Sequence, residues 1–288
     1  MNSLKKILSV MLSVCLLCGL AAGAAAATFT DAHGNVIELD DSLEAYTNYV
    51  LYGADDAARK AETNLGDLWA DALRWFAVSG TINGYFEEDD ITAGNTAVAA
   101  DAEHIVALWN GGNLRADVAE GKFGAEQLAE VLPYPNKAAV VYMTGNQLLE
   151  VLEAASQGLP YTADSAAACA SFMQVSGIKY TVDTSKEYDR GEAYGDHWFK
   201  AASLGRVAVE EVNGLPFDPE AVYAVITSNA NFNGMDSSYL FKAAAEENEK
   251  STITTAVVRD IIWLYIAGEL NNVIGEPYAE AQGRITVK

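Results

Sequence analysis

Long apolar runs are almost absent from this chain. The longest, Ile7–Leu20, follows Lys5 and Lys6 and covers 14 residues, fewer than the roughly 18 that cross a bilayer as a helix. The small residues of Ala24–Ala27 offer a cleavage site after this run. We therefore expect residues 1–27 to be a cleaved signal peptide. The mature protein would start at Thr28, be secreted or extracytoplasmic, and keep no membrane segment.

Cysteine is equally scarce. Cys15 and Cys18 lie in the predicted signal peptide, which leaves Cys169 as the only thiol of the mature chain. An internal disulfide therefore cannot form, although exported proteins often have one. The apolar fraction of 50% is that of a globular protein, and we expect a single core to stabilise the chain by packing alone.

Positive charge is the third shortage. The chain contains 18 Lys and Arg residues against 40 Asp and Glu, a net charge of −22, and removal of Lys5 and Lys6 with the leader would bring it to −24. Such a field repels nucleic acid and anionic membranes, so neither is expected as a partner. A phosphorylated ligand would need a local basic pocket.

Candidate metal ligands and nucleophiles are few. The only histidines are His33, His104 and His197, and no two of them have metal-ligand spacing. The chain contains no G-x-S-x-G string, and Cys169 has no histidine near it in sequence. We expect no catalytic residue, no metal site and no cofactor in this chain.

Periodicity predicts interleaved strands and helices. Residues Thr28–Leu39 alternate in polarity around Gly34, which indicates a hairpin. Leu65, Leu68, Trp69, Ala72, Leu73 and Phe76 fall on one helical face after Asn64. Further helices are expected at Gly124–Leu132, after Thr144 and at Val257–Leu270, and strands at Ile105–Trp109, Ala138–Met143, Ile178–Val182, Val207–Val212, Tyr223–Thr227 and Arg284–Val287. Because they do not alternate strictly, we expect an α+β fold of mixed sheets packed with helices rather than a doubly wound parallel sheet.

Five short motifs occur in a fixed order between Arg59 and the end of the chain. They are an upstream arginine with E-T-N-L-G-x-L-x-A-D-A (59–72), N-G-G-x-x-R (110–115), P-Y-P-N followed by T-G-x-x-L (133–148), Q-V-S-G (174–177) and the segment 227–239. In this order they resemble the C-terminal, substrate-binding domain of 5′-nucleotidases, whose Q-V-S-G motif is expected to form a hairpin. The resemblance divides the chain into a signal peptide (1–27), a hairpin and lead-in segment (28–58) and a 5′-nucleotidase C-terminal-like domain (59–288).

The resemblance implies a division of labour between two domains. In that family the C-terminal domain binds the nucleoside part of the substrate, and an N-terminal metallophosphoesterase domain holds the two metal ions that activate water. Only 36 residues, 28–63, separate the expected mature start from Asn64, which leaves no room for that domain. Asp31-Ala32-His33-Gly34 imitates one of its metal motifs, but no N-H-[DE] or G-H partner follows, so we interpret it as a turn.

Most of the expected substrate-binding residues lie in the first three motifs. The resemblance places Arg59 and Arg115 near ribose or phosphate, which guanidinium groups suit. It places the amides of Asn110 and Asn136 in hydrogen bonds to the substrate, with Asn136 on the base side. The alternatives are a solvated arginine for either guanidinium and turn formation for the asparagines. In the same motifs it assigns Gly112 to the substrate loop and Tyr134 to stacking on the base. The alternative for Tyr134 is a core side chain.

The last motif departs from the family pattern. The second stacking aromatic falls on Ala230. If this segment were extended, Phe232 would face the same side and could replace it. Asp236 is retained as a substrate-binding residue, but two glycines of the family loop are lost, so the backbone there is less free to fold around a ligand.

Three hypotheses remain open at this point. The chain could be an exported module that binds a nucleotide or nucleoside, related to nucleotide catabolism and not hydrolytic by itself. It could be the substrate-binding half of a split nucleotidase, a phosphoric monoester hydrolase that acts with a separate metallophosphoesterase chain supplying divalent metals. It could also be a surface-interaction module whose ligand site has decayed.

Overall fold

The computed structural model describes residues 27–30, 36–39, 44–54 and 56–288. For residues 27–30 and 36–39 only the backbone is described. The predicted signal peptide lies outside this range except for Ala27, and so does the turn at Asp31–Gly34. Among the described helices, none combines the length and the apolar character needed to cross a membrane.

The described strands are short and fall into several sheets. They are β1 (Ala27–Thr30), β2 (Val36–Leu39), β3 (Glu44–Thr47), β4 (Ile105–Asn110), β5 (Gly121–Gly124), β6 (Lys137–Thr144), β7 (Met173–Ser176), β8 (Ile178–Val182), β9 (Arg190–Tyr194), β10 (Trp198–Ala201), β11 (Val207–Val212), β12 (Leu215–Pro216), β13 (Val222–Ser228), β14 (Thr252–Val257), β15 (Val273–Ile274) and β16 (Ile285–Val287).

Helices alternate irregularly with these strands. They are α1 (Ala57–Lys60), α2 (Asn64–Val78), α3 (Glu88–Thr92), α4 (Ala125–Val131), α5 (Gly145–Ala155), α6 (Asn229–Phe232), α7 (Tyr239–Glu247) and α8 (Val258–Gly268). The fold is therefore α+β, as the sequence predicts.

A five-stranded sheet of order β14-β6-β13-β4-β7 forms the centre of the molecule. Strands β13 and β4 run parallel, and the other neighbours are antiparallel. Successive residues of β4 point to opposite faces, yet all of Ile105–Asn110 is buried, because both faces of the sheet are covered.

Two hydrophobic clusters cover the two faces. The first contains Ile105, Ala107 and Trp109 of β4 and packs against α2 and α8. The second contains Val106 and Leu108 and packs against α5, α7 and a four-stranded sheet of order β12-β11-β8-β16. The sheet is thus the middle layer of the molecule, and its strand ends are the places where loops meet solvent.

Helix α2 begins where the sequence predicts. The Thr63 side chain accepts a hydrogen bond from the Gly66 backbone N–H at 3.0 Å, which satisfies one of the otherwise unpaired amides of the first turn. All six residues of the predicted apolar face are buried, so this prediction is confirmed.

A cluster of charged groups fixes the C-terminal segment to α2. The Arg284 guanidinium contacts both carboxylate oxygens of Asp71 at 2.8 Å and donates to the Val175 carbonyl at 2.8 Å. Glu62 accepts the backbone N–H groups of Arg284 and Ile285 at 3.0 and 2.9 Å. We call Glu62, Asp67, Asp71 and Arg284 the closed cluster.

The Q-V-S-G motif does not form the expected hairpin. Gly177 turns the chain with φ of 80°, but within the described part of the chain β7 pairs with β4, whereas β8 pairs with β11 and β16. The chain changes sheets at Gly177, although Val175 before it and Ile178 after it belong to the same hydrophobic cluster. By contrast, β1 and β2 pair antiparallel, as expected of Thr28–Leu39.

Candidate functional site

The C-terminal end of β4 delivers Asn110 into a tight turn. Its side chain is only 3% exposed. The Asn110 amide donates from Nδ2 to Asp236 at 3.4 Å, and its Oδ1 accepts from Asn113 at 2.8 Å. Asn110 therefore links the turn after β4 to the loop after β13, which brings two of the predicted binding residues together.

Gly112 allows the same turn to pack closely against a neighbouring segment. A Cβ atom on Gly112 would lie 2.6 Å from the carbonyl oxygen of Ala170, closer than a carbon can approach. Close packing against Ala170 therefore requires a glycine at this position. This requirement is separate from the substrate contact that the motif suggests.

Arg59 lies in the short helix α1 and is 15% exposed. Its Nε contacts the Asp56 carboxylate at 3.1 Å, and its Nη1 donates to the Ala166 carbonyl at 3.1 Å. Burial raises the pKa of the Asp236 carboxyl, and the charge of Arg59 opposes this rise. Arg59 is thus held in place on one side and faces the loop of Asp236 on the other.

Arg115 and Tyr134 form an open wall beside this turn. The backbone N–H of Arg115 donates to the Val131 carbonyl at 2.9 Å, whereas its side chain is exposed. The guanidinium carbon lies 5.9 Å from the centroid of the Tyr134 ring, within the range of a cation–π contact. Tyr134 is 51% exposed, which does not fit the alternative of a core side chain.

Asn136 lies at the base of this wall and is half-buried. Its carbonyl accepts a hydrogen bond from the Val258 backbone at 2.8 Å. The next residue, Lys137, donates its backbone N–H to the Asn229 side chain at 3.0 Å. This bond ties the segment of Tyr134 to the loop after β13, so the two walls of the candidate site are connected at their base.

The loop after β13 forms the second wall. Ser228 caps helix α6 by accepting the Asn231 N–H at 3.1 Å. Asp236 is half-buried and has φ of 55°, a left-handed conformation that aspartate tolerates better than most residues. The direction of the Asp236 side chain thus depends on an uncommon backbone conformation.

The prediction that Phe232 replaces the second aromatic was wrong, because it assumed an extended segment. Residues Asn229–Phe232 are helical rather than extended, so Phe232 does not share a face with Ala230. Phe232 packs against the second hydrophobic cluster. The apolar side chain that this loop exposes is instead Met235, which is 58% exposed.

Electrostatics at the site centre on Asp236. Burial raises the pKa of the Asp236 carboxyl above its ordinary value, while Arg59 and Arg115 oppose this effect. Both arginines therefore act electrostatically on one carboxyl. In a chain with 40 acidic residues, this pair of guanidinium groups is the local positive charge that an anionic ligand needs.

Tyr194 is a residue of this region that sequence reasoning missed. Its hydroxyl donates to the Gly234 carbonyl at 2.6 Å, and its ring lies 5.5 Å from that of Tyr239. Strands β9 and β10 thereby brace the loop of Asp236. No local pattern in the polar stretch around Tyr194 indicates a partner 40 residues away.

The site has no set of groups suited to a catalytic metal. Over the residues that the structure describes, no group of three or more His, Cys, Asp and Glu side chains is placed to hold an ion. Asn110, Arg115 and Asp236 provide one carboxylate and no imidazole, which does not fit a two-metal centre.

Comparison with known proteins agrees with this geometry. A family model described as "5′-nucleotidase, C-terminal domain" matches residues 44–246. The chain is 27% identical over 202 residues to a trifunctional nucleotide phosphoesterase of Bacillus subtilis (strain 168), a match over 69% of this chain and 11% of that protein.

Two solved structures share the fold. A 5′-nucleotidase precursor from Thermus thermophilus aligns with a TM-score of 0.60 at 23% identity, over 90% of this chain and 48% of that one. NAD nucleotidase from Haemophilus influenzae aligns with a TM-score of 0.56 at 14% identity, over 91% and 48%.

The family match covers more than two thirds of the sequence, and the chain therefore belongs to the 5′-nucleotidase C-terminal domain family. This membership relates it to proteins of nucleotide metabolism. The chain spans about half the length of the solved relatives and about one ninth of the curated one.

Proposed function

We propose that this domain binds a nucleotide or nucleoside between the wall of Arg115 and Tyr134 and the loop of Asp236. The observation that carries the proposal is the exposed Tyr134 ring beside the Arg115 guanidinium. An exposed aromatic ring offers a stacking surface for a base. A neighbouring guanidinium suits a phosphate or a ribose hydroxyl.

The remaining polar groups fit the same ligand. Asp236 accepts hydrogen bonds and suits ribose hydroxyls, while Arg59 and Arg115 balance its charge. Met235, exposed next to Asp236, offers a polarizable apolar surface on the wall where Ala230 replaces the second aromatic. The proposed site is thus asymmetric, with an aromatic ring on one wall and an exposed methionine on the other.

Calorimetric titration of the chain with AMP, adenosine and UDP-glucose tests this function. We expect binding by at least one of them, with no release of phosphate from AMP by the chain alone. No heat of binding for any of the three at millimolar concentration would contradict the proposal.

A second function, that of the substrate-binding part of a nucleotidase, is supported by the relatives. The solved chains with this fold are about twice as long and include 5′-nucleotidase and NAD nucleotidase. In this case a metallophosphoesterase would supply the metal ions and the activated water, and this chain would hold the nucleoside. Mixing the chain with such a partner and manganese should accelerate phosphate release from AMP, and a rate equal to that of the partner alone would exclude this function.

We further propose that the protein acts outside the cytoplasm. The apolar leader with Lys5 and Lys6 supports export, and the Thermus relative is called a precursor. Comparing the mass of the protein from culture medium or envelope with that of the full chain tests this proposal. Retention of residues 1–27 in a cytoplasmic fraction would contradict it.

A further inference from the structure

A second polar pocket lies at the other end of strand β4. It has a volume of about 430 Å³ and is lined by residues of α2, the β7–β8 turn, the β11–β12 turn and the segment before β16. It adjoins Ile105, the first residue of β4, whereas the candidate nucleotide site adjoins Asn110, the last. Five steps along a strand place the two roughly 17 Å apart, so they are separate sites.

The lining of this pocket carries charges of both signs. Arg74, Lys179 and Arg284 line it together with the acidic residues Asp71 and Glu211. Arg284 is committed to Asp71 through two contacts of 2.8 Å. Lys179 is paired with Glu210, so Arg74 is the cation of this lining for which no ion pair is formed among the described residues.

Arg74 is the residue of this pocket whose charge lacks a close partner. It is half-buried and donates from Nε to the Ile105 carbonyl at 2.9 Å and from Nη2 to the Ala102 carbonyl at 3.0 Å. Both acceptors are neutral. Among the described residues it forms no salt bridge, since the Asp71 oxygens are already taken by Arg284, Ser176 and Tyr278.

A bound anion would balance the charge of Arg74. Burial lowers the pKa of Arg74, although the nearby Asp71 opposes the effect, and a guanidinium remains charged at neutral pH regardless. A partly buried charge without a counter-ion is costly, and an oxyanion that pairs with it recovers part of that cost. Lys179 contacts Glu210 at 3.7 Å, an exposed pair that holds it only weakly.

Glycine keeps the pocket open beside Arg74. Gly177 has φ of 80°, and a Cβ atom there would lie 3.0 Å from Arg74 Nε and 2.5 Å from the Asn213 side-chain oxygen. Gly214 and Gly283 also have positive φ, and the space where their Cβ atoms would lie is empty to 4 Å. Gly177, Gly214 and Gly283 therefore border the pocket without side chains.

We propose that this pocket binds a small oxyanion, with Arg74 as its principal ligand and Lys179 as a second, weaker one. The ligand is either free phosphate or sulfate, or the carboxylate group of a small metabolite. These sources share the chemistry of a compact group with two or more oxygen acceptors, which a guanidinium recognises.

Titration with inorganic phosphate, sulfate and acetate tests the proposal, with the amide signals of Gly177, Gly214 and Gly283 followed by NMR. We expect saturable shifts of these signals in the millimolar range. Arg74→Gln should weaken binding by about tenfold, as expected for a charge-assisted hydrogen bond, and Lys179→Gln, at an exposed position, by about threefold. Binding of phosphate and sulfate alone indicates a tetrahedral ligand, whereas stronger binding of acetate indicates a carboxylate.

Two control variants test whether the loss of an arginine outside this pocket also changes anion binding. Arg190→Gln removes an exposed arginine elsewhere, and Arg115→Gln removes the arginine of the nucleotide site; neither should change the titration of the three glycine signals. No shift with any of the three anions would overturn the proposal. Shifts that persist unchanged in both Arg74→Gln and Lys179→Gln, with melting temperatures like that of the parent chain, would overturn it as well.

Discussion

The closed cluster and the candidate nucleotide site both combine arginines with aspartates, but they differ in how completely the groups are paired. In the closed cluster Arg284 is 17% exposed and contacts Asp71 through two nitrogens. At the candidate site the Arg115 side chain is exposed, and Tyr134 beside it is 51% exposed. The first arrangement holds two segments of the chain together, whereas the second leaves binding capacity for another molecule.

The comparison shows how a structural arginine can be told from a ligand-binding one. Arg284 is saturated by acceptors of its own chain, so its loss should affect folding. Among the described residues, Arg115 is bonded through its backbone and contacts one ring through its side chain, so its loss should affect binding. Arg59 lies between the two, because it pairs with Asp56 and also acts on Asp236.

The largest expected effect is that of Arg284→Gln. This change leaves Asp71 without its charged partner and should lower the free energy of unfolding by about 3–5 kcal/mol. Denaturant unfolding followed by circular dichroism measures it. Arg190→Gln, at an exposed position, should change stability by less than about 0.5 kcal/mol. Equal stabilities of the two variants would show that the closed cluster does not hold the fold.

The pH dependence of stability provides a second test of the closed cluster, through Asp67. Burial raises the pKa of Asp67 to about 8, with Arg284 opposing and Glu62 adding to the effect. Because the folded pKa lies above the unfolded value near 3.8, the stability from Asp67 is complete below about pH 4 and is lost as the pH rises towards 8. Asp67→Asn should remove this slope, because an amide does not ionise.

Urea denaturation of both proteins between pH 4 and 9 measures this effect. Relative to the parent chain, Asp67→Asn should become steadily more stable up to about pH 8 and then level off. A constant difference across the range would mean that Asp67 is ionised throughout.

At the candidate site, Tyr134→Ala should separate binding from stability. Loss of a stacking ring costs about 1–3 kcal/mol of binding free energy per base. Stability should change by less than about 0.5 kcal/mol, because half of the side chain is exposed. Calorimetric titration with AMP, paired with a melting curve, measures both quantities. A large loss of stability would instead make Tyr134 a core residue.

The smallest expected effect is that of Asp236→Asn on stability. Because burial raises the pKa of Asp236, the stability from this group is complete below its unfolded pKa and declines as the pH rises, so the ionised carboxylate is a cost at neutral pH. Asparagine keeps an oxygen and tolerates the left-handed backbone. The variant should melt slightly higher at pH 7 and bind nucleosides more weakly. A lower melting temperature would indicate that attraction by Arg59 and Arg115 outweighs burial.

Sequence patterns predicted the central layers well. The apolar face of α2 followed from its helical periodicity, and strand β4 followed from a short continuous apolar run, which is buried on both faces of the sheet. The sheet change at Gly177 could not be predicted this way, since a turn residue does not reveal which partners its flanking strands choose. The same limit applies to β9, whose contact with Gly234 depends on distant residues.

The candidate site was predictable only in part. The resemblance to a family placed Asn110 and Asp236 in the same site, and the structure joins them by a hydrogen bond. It could not foresee that α6 is helical and that Phe232 packs inward. The Ser228 side chain caps this helix. Serine is a preferred N-cap residue, so its position at the end of the strand is compatible with a helix start.

The central claim is that the open site binds a nucleotide through the Arg115 and Tyr134 wall. Calorimetric titration of the chain and of Arg115→Gln with AMP and adenosine tests it most directly. The parent chain should bind AMP more tightly than adenosine by about tenfold, as expected for one charge-assisted contact to phosphate, and Arg115→Gln should remove this difference while still binding adenosine. Equal affinities of the parent chain and Arg115→Gln for AMP, or no binding of either ligand, would contradict the claim.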